Sequence, residues 1–202
     1  MCDPHATEHL RLFIALSVPE AVKDEVERAR TELRRAVAGP GIRWTKREQL
    51  HLTLRFLGNV DGPRIPALIE ALETTASAFA PLRLRASGVG FFPEARPPRV
   101  VWVGVPDQGG QLASLQRAVQ AVTGEFTSEK PEETFTGHLT LGRIKRLRHP
   151  DAQALTRLAS SMANRLFGEW VAPELELFRS QLSEQGATHT CIAAAPLAQI
   201  SP

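Results

Sequence analysis

Hydrophobic and polar positions follow two different periods along this chain, and the switches between them mark its elements. Leu10 to Leu16 is apolar except for Arg11, a run of the length of one buried strand. Pro19 suits the first turn of a helix, and Val22, Val26, Ala29, Leu33 and Val37 then recur at helical spacing. Gly39-Pro40-Gly41 stops that helix, and Ile42 to Trp44 is a short strand. Polar residues Thr45 to Gln49 lead into an alternating stretch from His51 to Leu57 that ends at Gly58-Asn59. Ile65, Leu68, Ile69, Leu72, Ala76 and Phe79 form the stripe of a second helix. Leu82, Leu84 and Ala86 alternate with Arg83, Arg85 and Ser87, as on a strand with one wet face. Gly88 to Pro98 reads as a loop exposing Phe91 and Phe92, and Arg99 to Val105 as a strand. A third helix carries Leu112, Leu115, Val119 and Val122. The charged segment Ser128 to Glu133 is a loop before a strand that starts at His138. Leu155, Leu158, Met162 and Leu166 predict a fourth helix. Leu175 to Phe178 and Thr190 to Ala195 predict two closing strands, with Ser183 to Ala187 as their turn.

Two of these strands begin alike. His51-Leu52-Thr53-Leu54 and His138-Leu139-Thr140-Leu141 are identical, at an offset of 138 − 51 = 87 residues. Arg11 and Arg99 open the leading strands of the two halves, at 99 − 11 = 88. Each half reads strand, helix, motif strand, helix, strand, so the chain is an internal duplication. The expected fold is α+β: two pseudo-twofold-related lobes, each an antiparallel sheet with helices on its outer face. The motif strands, near 51–57 and 138–144, would meet in a cleft between the lobes. No composition shift marks a linker, so 1–202 is expected to form a single bilobal domain.

Composition narrows the partners. Hydrophobic residues make up 43% and charged residues 23%, as in an ordinary soluble globular protein. A net charge of +2 exerts no global pull on a polyanion, so any nucleic-acid contact is expected to be local. Tyr is absent, which leaves Phe and Trp for base stacking. Cys2 and Cys191 have no metal-ligand spacing and make no disulfide framework. Neither a signal-peptide pattern at the N-terminus nor an apolar run of membrane-spanning length is present, so a cytoplasmic protein is expected.

A lone His-x-Thr carries no signal; His9-Leu10-Arg11-Leu12 is a near miss in the same chain and is given no catalytic role. Two identical copies are different. On a strand, His and Thr two residues apart share one face while both Leu residues face the core. Paired imidazoles provide an acid and a base near neutral pH, and the Thr53 and Thr140 hydroxyls can hold phosphate oxygens. Arg55, two positions beyond Thr53, is expected on that same face, and Arg143 is the matching cation of the second copy; either can offset charge growing on phosphate. No Asp or Glu accompanies either motif within a few residues, which argues against a metal-assisted site. A cyclic ribose phosphate is a natural substrate because its strained ring opens without a metal.

These features resemble the 2H phosphoesterase superfamily, and most closely the RNA 2′,3′-cyclic phosphodiesterases, also called 2′-5′ RNA ligases (LigT/ThpR-like). The resemblance runs through Arg11-Leu-Phe-Ile-Ala-Leu, Leu50-His-Leu-Thr-Leu-Arg-Phe-Leu-Gly58, Arg99-Val-Val-Trp-Val-Gly-Val, Phe135-Thr-Gly-His-Leu-Thr-Leu-Gly-Arg143 and Leu175-Glu-Leu-Phe-Arg-Ser180. It implies hydrolysis of RNA 2′,3′-cyclic phosphate ends, or of nucleoside 2′,3′-cyclic phosphates, to 2′-phosphates. No metal or nucleotide cofactor is implied, and reversible 2′-5′ ligation accompanies the activity. It also implies His51 as proton donor and His138 as proton acceptor, with Thr53, Thr140 and Arg143 on the phosphate. Strict alternation points Arg143 away from His138, so a bend near Gly142 is required. Gly137 departs from the Pro usual in the family, which loosens the approach to His138. Alternatives are a phosphodiesterase for 2′-5′-linked or small cyclic nucleotides, and a non-catalytic module that binds RNA ends; intact His and Thr in both motifs argue against the latter.

Other residues take plainer readings. His5 and His9 belong to a solvated tail, and His149 and His189 are surface or hydrogen-bonded histidines. Lys145 to Arg148 is a solvated basic run that could track an RNA backbone. Phe13 and Phe135 face the core at their bases, and either could present a ring to a nucleobase. The protein is expected to be monomeric.

Overall fold

The computed structural model describes residues 8–37, 39–94, 97–183 and 186–198. Its thirteen principal elements are, in chain order, β1 (His9–Ser17), α1 (Glu20–Arg35), β2 (Ile42–Trp44), β3 (His51–Asp61), α2 (Ile65–Ala76), β4 (Leu82–Phe92), β5 (Val100–Gly104), α3 (Gln111–Thr123), β6 (His138–Ile144), α4 (His149–Ser161), β7 (Leu166–Ala172), β8 (Glu174–Ser183) and β9 (Gly186–Pro196). All strand pairs are antiparallel, in the order β7-β4-β5-β6-β3-β1-β8-β9, with β2 on β6. The expected α+β architecture of two lobes is present. One lobe holds β3, β1, β8 and β9; the other holds β6, β5, β4, β7 and β2. They are joined between β3 and β6 through one register pair, Leu52 with Leu139.

The lobes are not the two sequence halves. Helix α1 follows β1 but packs on β7 and α4 of the other lobe, while α3 follows β5 but packs on β3 and α2. Each half therefore lends its first helix to the opposite lobe. The stripe Val22, Val26, Ala29 and Leu33 on α1 is fully enclosed. Its fit is close: a Cβ on Gly168 of β7 would lie 2.9 Å from the Val22 side chain. The helices cover the outer faces, and one core of aliphatic side chains runs beneath both lobes. Among the described residues no helix is long and apolar enough to cross a membrane.

Three expectations need correction. Gly88 to Phe92 is not loop but the second half of β4, because a register shift at Gly88, with φ +71°, lets the strand bend and go on pairing with β5. Phe91 and Phe92 are accordingly only partly exposed. Leu166 opens β7 and does not belong to the fourth helix, which ends at Ser161; Phe167, Trp170 and Ala172 of β7 are buried against its neighbours. His9 lies in β1, with Nδ1 2.7 Å from Asp61, while His5 lies outside the described residues.

Candidate active site

The pair Leu52–Leu139 lies at the local twofold axis. Both side chains are buried, and in antiparallel strands His51 and Thr140 flank the pair on one side while Thr53 and His138 flank it on the other. On a regular antiparallel ladder, diagonal neighbours such as the two histidines are about 7–8 Å apart. No further β3–β6 pairs form, and the cleft opens where they stop. Among the described residues neither threonine hydroxyl has a protein hydrogen-bond partner.

Each imidazole is anchored in the same way. His138 Nδ1 is 2.8 Å from the Thr136 carbonyl, and the His51 ring donates to the Gln49 carbonyl. Both acceptors lie two residues before the histidine. The bond fixes the ring and the tautomer, and it leaves the second nitrogen free. Burial pushes both histidines toward the neutral form. His51 falls to about 4, through burial first and then through the positive charge that His189, His138 or Lys23 would carry; its bond to Gln49 opposes this. His138 is lowered by burial and by the Arg143 charge, against its bond to Thr136. Gly137 does not leave the approach to His138 loose. Val105 N–H donates to the Gly137 carbonyl at 2.8 Å, and a Cβ at 137 would sit 2.6 Å from the Val105 oxygen.

Beyond the motifs, the two strands bend alike. Between Val101–Gly142 and Trp102–Thr140 the register skips Leu141, and between Ile14–Arg55 and Ala15–Thr53 it skips Leu54. An extra residue reverses the parity of everything after it. The bend required near Gly142 is thus present, and Arg143 shares the face of His138 and Thr140. The matching bulge at Leu54 in β3 overturns the expectation for Arg55. That side chain is 3% exposed and turned toward α3, where it donates to Gln120 at 3.2 Å and to the carbonyls of Glu129 and Lys130 at 2.8 Å each. The cleft-facing counterpart of Arg143 is Phe56, since 143 − 87 = 56. One motif therefore presents a cation to the cleft, the other an exposed aromatic ring.

Phe13 does reach the site, but at 2% exposure it has no free face for a base. Its ring stacks on His51 at 4.7 Å and on Phe178 at 5.1 Å. Phe56, 45% exposed and 6.0 Å from Phe13, is the open aromatic surface. Phe135 packs against the core, and among the described residues no ring contact joins it to either histidine. Arg148 is paired with Asp151 at 2.9 Å and is not part of a free basic run. The sequence alone assigns no site role to Phe56, Phe92 or His189. Phe92 meets the His138 ring edge-on at 5.0 Å. His189, expected as a surface or hydrogen-bonded histidine, lies 5.5 Å from His51. The block Leu50–Gly58 contained the signal for Phe56; nothing local in the sequence points to His189. Among the described residues no group of three or more His, Cys, Asp or Glu could hold a metal.

Known proteins resemble this chain in sequence and share its fold. The family profile described as LigT like Phosphoesterase matches residues 16–102 and again 103–189. The offset of 103 − 16 = 87 is that of the motifs. An RNA 2′,3′-cyclic phosphodiesterase of Archaeoglobus fulgidus is 32% identical, over 88% of this chain and 94% of its own length. One from Methanothermobacter thermautotrophicus is 31% identical over 90% and 95%. The crystal structure of TT0787 from Thermus thermophilus superposes with a TM-score of 0.77 at 29% identity, covering 95% of this chain and all of that one. Escherichia coli LigT with 3′-AMP shares the fold at a TM-score of 0.73 and 20% identity, over 95% and 100%.

Proposed function

The chain belongs to the LigT-like phosphoesterases, and we propose that its two lobes act as one catalytic domain that hydrolyses RNA 2′,3′-cyclic phosphate ends to 2′-phosphates. The observation that carries this is the disposition of two imidazoles and two free threonine hydroxyls about the Leu52–Leu139 pair. The names of the Archaeoglobus and Methanothermobacter relatives supply the substrate class.

In this reading the cyclic phosphate sits between the motifs, with Thr53 and Thr140 donating to its non-bridging oxygens and Arg143 offsetting their charge. His138 takes a proton from water as the water oxygen bonds to phosphorus. The bond from phosphorus to the 3′ oxygen breaks, and His51 delivers its proton to that oxygen. Burial favours the neutral form of both rings in the free site, so the proton on His51 is stabilised by the anionic phosphate itself. In 2′-5′ ligation an RNA 5′-hydroxyl replaces water: His138 takes its proton as its oxygen bonds to phosphorus, and His51 again protonates the departing 3′ oxygen. Neither reaction calls for a metal or nucleotide cofactor. A terminal nucleobase has Phe56 as its exposed stacking surface. We further propose that the enzyme works as a monomer in the cytoplasm, for which the free, exposed Cys191 suits a reducing compartment.

The test uses leaving groups. His51→Ala and His138→Ala are assayed on an RNA with a cyclic phosphate end and on a nitrophenyl phosphodiester. Both variants should lose about 10²–10⁴-fold on the RNA. Only His51→Ala should recover on the activated ester, whose leaving group needs no proton. Rescue of His138→Ala alone would reverse the roles, and full activity of both variants on RNA would refute paired-histidine catalysis.

A further inference from the structure

The cleft wall on the His51 side contains a third imidazole that the proposed chemistry does not use. His189 is on β9, paired with Ser180 of β8. Cys191 pairs with Phe178 on the same faces of these strands, and Phe178 packs against Phe13. The His189 ring stands at 80° to Phe13, with centroids 4.9 Å apart, and at 89° to His51, 5.5 Å away. His51, Phe13 and Phe178 lie within 28° of parallel, and His189 is set across them as a wedge. A single residue ties the wedge to the catalytic ring. The Gln49 carbonyl accepts from His51, and its side-chain amide donates to the carbonyl of Ala187, two residues before His189.

We propose that His189 is a positioning residue for His51: it holds the imidazole plane from the side and competes with it for a proton, so that His51 becomes charged only together with the substrate phosphate. This rests on the reading of His51 as a catalytic group. The geometry distinguishes His189 from the other two histidines. His51 and His138 each have a backbone carbonyl to receive a ring N–H, whereas His189 Nδ1 is buried without a partner among the described residues. An imidazolium there would bury a donor with nothing to accept it, which disfavours the charge. Burial lowers the proton affinity of both rings. With the rings 5.5 Å apart, a charge on His189 opposes a second proton on His51. Among the described residues, Lys23 on α1 and His138 on β6 also act on His51, and the neighbouring strands carry Glu176 on β8, held by the Ser17 hydroxyl, and Cys191 on β9. The Lys23 and His138 charges act on His51 in the same direction as that of His189.

The experiment follows the ring resonances of His51 by NMR through a pH titration of the full free chain, in wild type, His189→Phe and His189→Gln. His189→Phe keeps a ring as the wedge but cannot take a proton, and His189→Gln remains as a second variant should the first not fold. The His51 midpoint is expected to rise by about one pH unit or more in either variant, the size expected for like charges at this separation in a partly screened site. The acid limb of kcat/KM on a nucleoside 2′,3′-cyclic phosphate should move by the same amount. An unchanged His51 midpoint in a folded variant would overturn the proposal, even if activity fell. The titration is read in the free protein, so it does not depend on turnover. If the midpoint moves but His51→Ala keeps full activity, it is the catalytic reading that has failed.

Discussion

Burying a neutral histidine at the centre of the cleft should make the fold sensitive to mild acid, and one substitution should remove much of that sensitivity. The His51 pKa is about 4 in the folded protein, against about 6.5 for an unperturbed imidazole. Between these values the unfolded chain binds a proton that the folded chain does not, so stability falls as pH drops through this window. The loss begins near the unfolded value and is complete below the folded one, where it reaches roughly 3.4 kcal/mol for this residue alone. Going from about pH 7.5 to about pH 5 should forfeit roughly 2 kcal/mol of it. His51→Gln removes the titration while keeping a polar side chain. Denaturant unfolding of wild type and His51→Gln at both pH values gives the comparison. His138 and His189 shift in the same direction and continue to titrate in the variant, so the difference between the two losses isolates His51. Wild type should lose about 2 kcal/mol more than the variant. Equal losses would mean that His51 is not held neutral, and the account of the free site would be wrong.

Other expectations rest on single side chains. Arg55→Met leaves the Glu129 and Lys130 carbonyls without their donor and should cost about 2–4 kcal/mol of unfolding free energy; an unchanged denaturation midpoint would contradict its anchoring role. Phe56→Ala should raise KM by roughly 5- to 150-fold for substrates carrying a base, the value of one stacked ring, and leave KM for a base-free cyclic phosphate alone. Gly90→Ala places a methyl 2.3 Å from the Trp102 ring, which lies 6.3 Å from His138; steady-state kinetics should show lower kcat/KM at full secondary structure. Hydrolysis should persist in excess EDTA without ATP, and loss that a divalent ion restores would refute the metal-free mechanism.

The duplication, the two histidines, the two threonines and the α+β class could all be read from the sequence. They depend on local facts: a period of two puts His and Thr on one face and Leu on the other, and a repeated motif at a repeated spacing implies symmetry. The residues just beyond each motif could not be placed that way. A bulge arises from how one strand pairs with its neighbour, and it reverses side-chain parity beyond it. Thus Arg55, on the expected face by counting, turns into the α3 side, while Phe56 and Arg143 turn into the cleft. The exchange of α1 and α3 between lobes is decided by which apolar stripe fits which sheet, a choice that local pattern does not encode. His189 illustrates the same limit at longer range. It is 138 residues from His51 in the chain, and it reaches the His51 ring only because β9 pairs with β8, and β8 with β1. Local periodicity determined which faces carry chemistry; strand pairing decided which side chains share the cleft.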